Sequence, residues 1–133
     1  MKTAVIFWTG TGNTEAMANA VAEGAGVSAV NVSDFSDDVS TYDAFALGCP
    51  AMGAEVLEED VFEPFFTDLE GKLSGKKVGL FGSYGWGDGE WMRNWEERVT
   101  AAGAELVADG VMANEAPDDD ALKACKELGE KLK

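Results

Sequence analysis

The feature that most constrains this chain is the alternation of short, β-branched apolar segments with segments of helical periodicity. Strands that are separated by helices pair in parallel through right-handed crossovers, so the pattern predicts an α/β fold. The predicted strands are Thr3–Trp8, Ser28–Val32, Ala44–Gly48, Lys77–Ser83 and Glu105–Met112, and the predicted helices are Thr14–Glu23, Val61–Leu73, Glu90–Ala102 and Asp118–Leu132. We therefore expect residues 1–133 to form one domain with a doubly wound, five-stranded parallel sheet and helices on both faces.

Charge and composition exclude several classes of function. The 10 Lys and Arg residues are outnumbered by 25 Asp and Glu residues, and the net charge of −15 repels nucleic acids and anionic lipid surfaces. The absence of His excludes Ser-His-Asp catalysis and His-ligated metals. Cys49 and Cys125 lie too far apart for a CxxC zinc or redox motif. We expect no metal, no catalytic residues and basic proteins as partners, unless the acidity serves solubility alone.

The apolar segments are too short to cross a membrane or to direct secretion. The longest run extends only from Ala4 to Trp8, whereas a membrane-spanning helix needs about 20 apolar residues. A secretory signal also requires a longer apolar region than this N-terminus offers. The sequence therefore predicts a cytoplasmic protein, and we expect it to be a monomer.

A loop rich in Thr and Gly follows the first predicted strand and leads into the first predicted helix. Its residues are Thr9, Gly10, Thr11, Gly12, Asn13 and Thr14. Glycines let the backbone approach an anion closely, and the free N–H groups and dipole of a helix N-terminus favour a phosphate. No Lys or Arg lies between Lys2 and Lys72, so neutral dipoles alone would hold the phosphate. This loop predicts a phosphate-monoester site, and a plain strand–helix turn is the alternative.

Two other phosphate-binding motifs are absent. The nucleotide P-loop requires G-x-x-x-x-G-K followed by Ser or Thr, and no such string occurs in the chain. The dinucleotide motif G-x-G-x-x-G fails as well, because Glu15 stands where the third Gly would be. A triphosphate and a dinucleotide are therefore both disfavoured as ligands.

Two further loops combine glycines with a large apolar side chain. Met52 lies in Cys49–Glu55 and Trp86 in Ser83–Gly89, at neighbouring strand ends of the predicted sheet. A large side chain in a Gly-rich loop has little of its own segment to contact, although each alone is as often an ordinary core residue. Beside a phosphate loop, the two predict a slot for a flat aromatic ring, and Glu55 can accept a hydrogen bond from a ring N–H.

Four motifs, in this order, resemble those of the short-chain flavodoxins of anaerobic bacteria. They are Thr9–Thr14, Ala51–Gly53, Glu63–Phe65 and Lys76–Gly89. The resemblance extends from residue 2 to residue 132. It implies a flavodoxin-like fold with strand order 2-1-3-4-5.

The resemblance also implies that the protein binds FMN non-covalently and carries single electrons. Met52 would cover the inner face of the flavin and Trp86 the outer face, with Glu55 at the pyrimidine edge. The Gly53 peptide would turn over to stabilise the neutral semiquinone, and the semiquinone–hydroquinone couple would have a low potential. The implied FMN-binding residues are Thr9, Gly10, Thr11, Gly12, Asn13, Thr14, Ala51, Met52, Gly53, Ala54, Glu55, Ser83, Tyr84, Gly85, Trp86, Gly87, Asp88 and Asn114.

The chain departs from the family pattern at two positions in the Met52 loop. Pro50 stands where some members carry a Ser that contacts the phosphate, and Ala54 stands where some carry an Asp near the flavin. Both changes remove a polar group. We expect the loss of one phosphate contact and a changed energy for the turnover of the Gly53 peptide.

Two alternatives share this fold class. A small FMN-dependent quinone or nitro reductase would need longer loops for a nicotinamide and a substrate than 133 residues provide. A response-regulator receiver domain needs acidic residues after the first and third strands, where this chain has Trp8-Thr9 and Cys49-Pro50. The expected function remains electron transfer, with reductases and low-potential acceptors of basic surface as partners.

Overall fold

Strands and helices alternate along the chain in the computed structural model, which describes residues 2–133. The strands are β1 (Thr3–Phe7), β2 (Ala29–Asn31), β3 (Ala44–Gly48), β4 (Lys77–Tyr84), β5 (Glu105–Leu106) and β6 (Val111–Asn114), and the helices are α1 (Asn13–Ala25), α2 (Phe62–Glu70), α3 (Glu90–Ala101) and α4 (Asp119–Lys131). These strands pair in parallel in the order β2-β1-β3-β4, with β5 and β6 both beside β4. The predicted sheet with order 2-1-3-4-5 is confirmed.

The largest difference from the predicted elements is at the last strand. The segment Glu105–Met112 does not form one strand, because residues 107–110 leave the ladder between β5 and β6. Leu106 pairs with Val78 and Val111 pairs with Phe81, so four residues of the edge oppose only two residues of β4. A residue outside the sheet stabilises this segment, since the Gly110 N–H donates to the Glu96 carboxylate of α3 at 2.7 Å. The sheet therefore has six strands rather than five.

Three other predicted boundaries were wrong by a few residues. Helix α1 runs through Gly24 to Ala25 instead of stopping at Glu23, and α2 ends at Glu70 rather than Leu73. Strand β2 ends at Asn31, because the Asn31 side chain accepts a hydrogen bond from the Ser33 N–H and starts a 3₁₀ turn at Val32–Asp34. Local turn chemistry thus shortens β2.

The sheet is buried on both faces, which explains why its central strands are continuously apolar. Every residue of β1 and β3 is buried. Ile6 and Phe45 belong to the core that α2 and α3 cover, whereas Val5 and Ala46 belong to the core beneath α1 and α4. A parallel sheet covered by helices in this way has no polar face along its strands.

Helices α1 and α4 approach each other through two glycines. A Cβ atom added at Gly24 would lie 2.0 Å from the Lys126 carbonyl oxygen, and one added at Gly129 would lie 2.0 Å from the Val21 carbonyl oxygen. The two helix backbones are therefore in direct contact. This contact fixes α1, whose N-terminus is part of the candidate site.

Candidate functional site

A cavity of about 580 Å³ opens at the carboxyl ends of β1, β3, β4 and β6. Ligand sites of doubly wound sheets lie at this edge, where the chain order along the sheet reverses. The walls come from the four loops that follow these strands. The lining residues are Trp8, Gly10, Thr11, Asn13, Pro50, Ala51, Met52, Ser83, Tyr84, Gly85, Glu115 and Ala116.

The Thr/Gly loop turns sharply into α1. The Gly12 N–H donates to the Thr9 hydroxyl oxygen at 2.9 Å, and Gly12 has a left-handed φ of 95° that favours glycine. Gly12 is the N-cap residue of α1 and has no side chain to bond the first-turn N–H groups. An anion in the cavity therefore meets a helix terminus that no N-cap side chain has neutralised.

Buried hydroxyl groups connect this loop to the centre of the sheet. Thr14 and Ser83 are both buried, and their hydroxyl oxygens lie 3.0 Å apart. Ser83 also lines the cavity. Because a hydroxyl both donates and accepts, this pair keeps further hydrogen-bonding capacity towards the cavity.

The Met52 loop is a tight turn closed by two backbone hydrogen bonds. The Met52 N–H donates to the Val56 oxygen at 2.9 Å and the Val56 N–H donates to the Met52 oxygen at 3.0 Å. Within the turn, Gly53 has φ of 49° and Glu55 has φ of 56°. A Cβ atom at Gly53 would meet nothing within 4 Å, so the backbone there is open on one side. Met52 itself lies in the cavity wall.

The Trp86 loop places its large side chain at the surface. The Trp86 side chain is 65% exposed, whereas its neighbours Tyr84 and Gly85 line the cavity. Gly87, with φ of 88°, lies directly on Glu55, since a Cβ atom there would be 2.4 Å from the Glu55 carboxyl carbon. The Met52 and Trp86 loops are thus in contact, with Met52 in the wall and Trp86 outside it.

Glu55 ties these two loops together. The carboxylate is buried, and its Oε1 accepts hydrogen bonds from the Gly89 and Glu90 N–H groups, each at 3.2 Å. It thereby caps α3, whose own N-cap residue is a glycine. Sequence reasoning placed Glu55 at a ring N–H and missed this capping role. The sequence does contain a sign of this role, because the residue before α3 is Gly89 and not a Ser, Thr or Asp that could cap the helix itself.

Three further predicted residues are not among those that line the cavity. Ala54 is exposed in the Met52 turn, Asp88 is exposed before α3, and Asn114 pairs with Tyr84 at the end of β6.

Four wall residues had no binding role assigned from the sequence, namely Trp8, Pro50, Glu115 and Ala116. Trp8 lies over Gly10, since a Cβ atom there would be 3.1 Å from the indole. Glu115 has a left-handed φ of 58°. Each of the four lies one or two residues after a strand, in a loop where ligands of doubly wound sheets are expected to bind.

Two arginines reduce the negative charge that the sequence places beside these loops. An Arg93 guanidinium nitrogen lies 3.1 Å from the Asp88 carboxylate, and an Arg98 nitrogen lies 2.7 Å from that of Glu63. Hydrogen bonds from Arg98 hold the pKa of Glu63 below its ordinary value. Glu115, in the cavity wall, forms no ion pair within residues 2–133.

Glu58 fixes the start of α2 from the same segment. Its buried carboxylate accepts hydrogen bonds from the N–H groups of Asp60, Val61 and Phe62 at 2.8–2.9 Å. Burial alone would raise the pKa of Glu58, but the three N–H donors outweigh it and hold the pKa below its ordinary value. The folded state therefore favours the ionised form of this carboxyl group.

We expect Glu58→Gln to lower the free energy of unfolding by about 1–3 kcal/mol at pH 7, because a neutral amide cannot accept all three bonds. A pKa that is lower in the folded state gives stability that is present above the unfolded pKa and lost as pH falls through the folded value. Urea unfolding from pH 7 downwards should therefore show the two proteins converging below about pH 4. Glu59→Gln, at an exposed neighbour, is the control and should change little. A difference that does not vary with pH would contradict this account.

No α-helix within residues 2–133 has the length and apolarity that crossing a bilayer requires. The same part of the chain contains no group of three or more His, Cys, Asp or Glu side chains arranged to hold a metal ion. The polar groups around the cavity are hydroxyls, backbone amides and isolated carboxylates. Such a set suits a phosphate-bearing organic molecule better than a metal ion.

Comparisons with known proteins agree with this geometry. A family model described as Flavodoxin matches residues 5–129. The chain is 54% identical over 132 residues to a flavodoxin of Megasphaera elsdenii, covering 95% of this chain and 94% of that protein. It is 48% identical over 134 residues to a flavodoxin of Clostridium beijerinckii, covering 96% of each.

Solved structures give the same result. The solution structure of two-electron reduced Megasphaera elsdenii flavodoxin matches with a TM-score of 0.88 at 51% identity, covering 98% of this chain and 97% of that one. A flavodoxin from the domain Archaea matches with a TM-score of 0.86 at 26% identity, covering 99% and 96%.

Proposed function

This chain belongs to the flavodoxin family, and from that premise we propose how its own residues bind FMN and serve electron transfer. As a flavodoxin, it is an FMN-binding electron carrier rather than an enzyme. FMN supplies the one-electron chemistry when it is bound. The chain supplies the binding contacts, the exclusion of water and the local electric field. We propose that residues 1–133 form a single FMN-binding domain.

The uncapped N-terminus of α1 at the cavity wall is the observation that carries the assignment of the phosphate site. Gly12 offers no capping side chain, and Thr11 and Asn13 line the cavity beside it. We assign the phosphate to the hydroxyl and N–H groups of the segment 9–14. Neutral donors at a helix terminus suit a monoester, and their number fits the oxygens of one phosphate group.

The apolar part of the cavity wall suits a flat ring. Pro50, Ala51, Met52 and Tyr84 line it. We assign Met52 to one face of the flavin and Trp86 to the other. Binding is then expected to lower the exposure of Trp86 from 65% and to quench its fluorescence.

The remaining polar groups are assigned to the edges of the ring and to the ribityl chain. The open, left-handed backbone at Gly53 leaves its peptide free to turn over and present its N–H. We assign Glu55 to the pyrimidine edge, although its carboxylate caps α3 and lines the neighbouring small cavity rather than this one. Ser83 lines the cavity directly. The other assigned residues are Ala54, Gly85, Gly87, Asp88 and Asn114.

Reconstitution with FMN followed by stepwise reduction tests this function. We expect stoichiometric binding and two separate one-electron steps, the second at a much lower potential than the first. The physical reason is that the second step adds negative charge inside an acidic protein without His and with a net charge of −15. Failure to bind FMN in large excess would overturn the proposal, and so would a second step at a higher potential than the first.

Glu115→Gln is expected to raise the potential of the second step by about 30 mV. A cavity of about 580 Å³ is roughly 10 Å across, so a lining carboxylate lies within roughly 12 Å of a bound group. At that distance and an effective dielectric of about 40, its repulsion is roughly 0.7 kcal/mol, or roughly 30 mV for one electron. A spectroelectrochemical titration measures it. Glu130→Gln, at the opposite edge of the sheet, should leave the potential unchanged.

The acidic surface also indicates the kind of partner. We propose that basic-surfaced redox proteins, namely reductases and low-potential acceptors, dock on the loops around the cavity. We further propose that the protein acts as a monomer in the cytoplasm. Electron-transfer rates to a basic partner should fall as ionic strength rises, since salt screens the attraction.

A further inference from the structure

Trp95 carries a buried polar group that lacks a hydrogen-bond partner. Its side chain is 1% exposed, and its Nε1–H is the one buried side-chain donor within residues 2–133 that bonds to nothing. By contrast, the indole N–H of Trp91 donates to the Cys49 oxygen at 3.1 Å. An unpaired buried donor is costly, so the surroundings of Trp95 are expected to provide an acceptor.

Trp95 lines a second, small cavity of about 90 Å³ that lies between the Met52 loop and α3. Its polar lining residues are Glu55, Glu63, Asn94 and Arg98. One water molecule takes up about 30 Å³ in the liquid and needs two to four polar partners. This cavity therefore has the size and the polar groups to bind about three water molecules.

Most of the polar groups around this cavity are already engaged. Both Glu63 carboxylate oxygens accept hydrogen bonds from Arg98, and one also accepts from Thr67. Glu55 differs, because only its Oε1 accepts hydrogen bonds within residues 2–133 and its Oε2 accepts none there. The available donor is therefore Trp95 Nε1, and the available acceptors are Glu55 Oε2, which carries charge, and the neutral amide of Asn94.

We propose that the small cavity binds water, and that one water accepts from Trp95 Nε1 and donates to Glu55 Oε2. This inference rests on the proposed function in assigning Glu55 to the flavin site. Trp95 then acts as a positioning residue, because the water holds the carboxylate that in turn holds the Gly89 and Glu90 N–H groups. The bound water thereby connects Trp95 in α3, through Glu55, to the end of the loop that carries Trp86.

Two aromatic rings offer a different acceptor for the same N–H group. Phe62 and Phe66 both lie edge-to-face with Trp95, at centroid distances of 5.6 and 5.8 Å. An N–H directed at a ring face forms a weak hydrogen bond. The two possibilities differ in an observable way, because only the hydrated form brings water protons next to the indole N–H.

Water-selective NMR on the full-length FMN-loaded protein distinguishes them. We expect a cross-peak between bound water and the Trp95 indole N–H, and none for the directly paired Trp91 indole N–H. Glu55→Gln should shift the Trp95 indole resonance more than that of Trp91, which lines the same cavity but is already paired with the Cys49 oxygen. A Trp95 N–H without a water cross-peak, or one unmoved by Glu55→Gln, overturns the proposal.

A double-mutant cycle on FMN affinity gives the second test. Trp95→Phe should weaken FMN binding about two- to tenfold in the wild-type background and less than about twofold in the Glu55→Gln background. Equal losses in both backgrounds would overturn the proposal, since a merely structural role of Trp95 does not depend on Glu55. If the wild-type protein does not bind FMN, the proposed function fails, and the same NMR experiment on the FMN-free protein still tests the water by itself. If Trp95→Phe does not fold, the NMR experiment decides alone.

Discussion

Gly129→Ala is expected to lower the free energy of unfolding by about 3 kcal/mol, because it inserts a methyl group between two helix backbones. The added Cβ atom would lie 2.0 Å from the Val21 carbonyl oxygen and 2.8 Å from the Ala25 nitrogen. Neither neighbour is a side chain that can rotate away, so α1 and α4 must move apart. Urea unfolding of the full-length protein, followed by circular dichroism, measures the loss.

Gly71→Ala is the matched control for this substitution. Gly71 also lies at a helix end, but its φ of −73° suits any residue and a Cβ atom there would meet nothing within 4 Å. Its effect should be neutral or stabilising by up to about 1 kcal/mol, since alanine restricts the unfolded chain. Similar free energies of unfolding for the two variants would show that the helix contact at Gly129 is less close than described.

The same glycines show why the sequence predicted the sheet better than the helix ends. Apolar periodicity placed β1 and β3 within a residue, because burial on both faces leaves a continuous signal. The sequence predicted that α1 ends at Glu23, but the helix continues through Gly24, whose lack of a side chain allows contact with Lys126 in α4. Local patterns do not contain that partner. Gly110 similarly marks the break between β5 and β6, whose cause is a hydrogen bond to Glu96 on another element.

In the candidate site as well, local features were predictable from the sequence and long-range contacts were not. The Thr/Gly loop was identifiable because its chemistry is local, with each group within six residues of the next. The capping of α3 by Glu55 joins positions 34 residues apart, and the hydroxyl pair of Thr14 and Ser83 joins positions 69 apart. Trp8 and Glu115 lie in loops that follow strands, but neither residue belongs to a motif that indicates a binding role. Long-range pairings of this kind follow from the topology and not from any one motif.

Thr11→Asp is expected to weaken FMN binding about 10²- to 10³-fold while leaving the fold intact. Thr11 is exposed at the cavity wall, two residues before α1 begins at Asn13. A carboxylate there would lie beside the phosphate, and two unit charges about 4 Å apart at an effective dielectric of 20 repel by about 4 kcal/mol. That repulsion corresponds to roughly a thousandfold change in affinity. Fluorescence titration with FMN at pH 7 measures it.

Riboflavin and Thr11→Ser separate charge repulsion from damage to the loop. Riboflavin lacks the phosphate, so Thr11→Asp should change its affinity by less than about threefold. Thr11→Ser keeps the hydroxyl group and should bind FMN almost as well as the wild type. The aspartate also suits the N-terminus of α1 and should not lower thermal stability, since an acidic side chain interacts favourably with the helix dipole. If Thr11→Asp weakened FMN and riboflavin binding equally, the phosphate could not lie at this helix terminus, and the orientation assigned to the whole cofactor would have to be reversed.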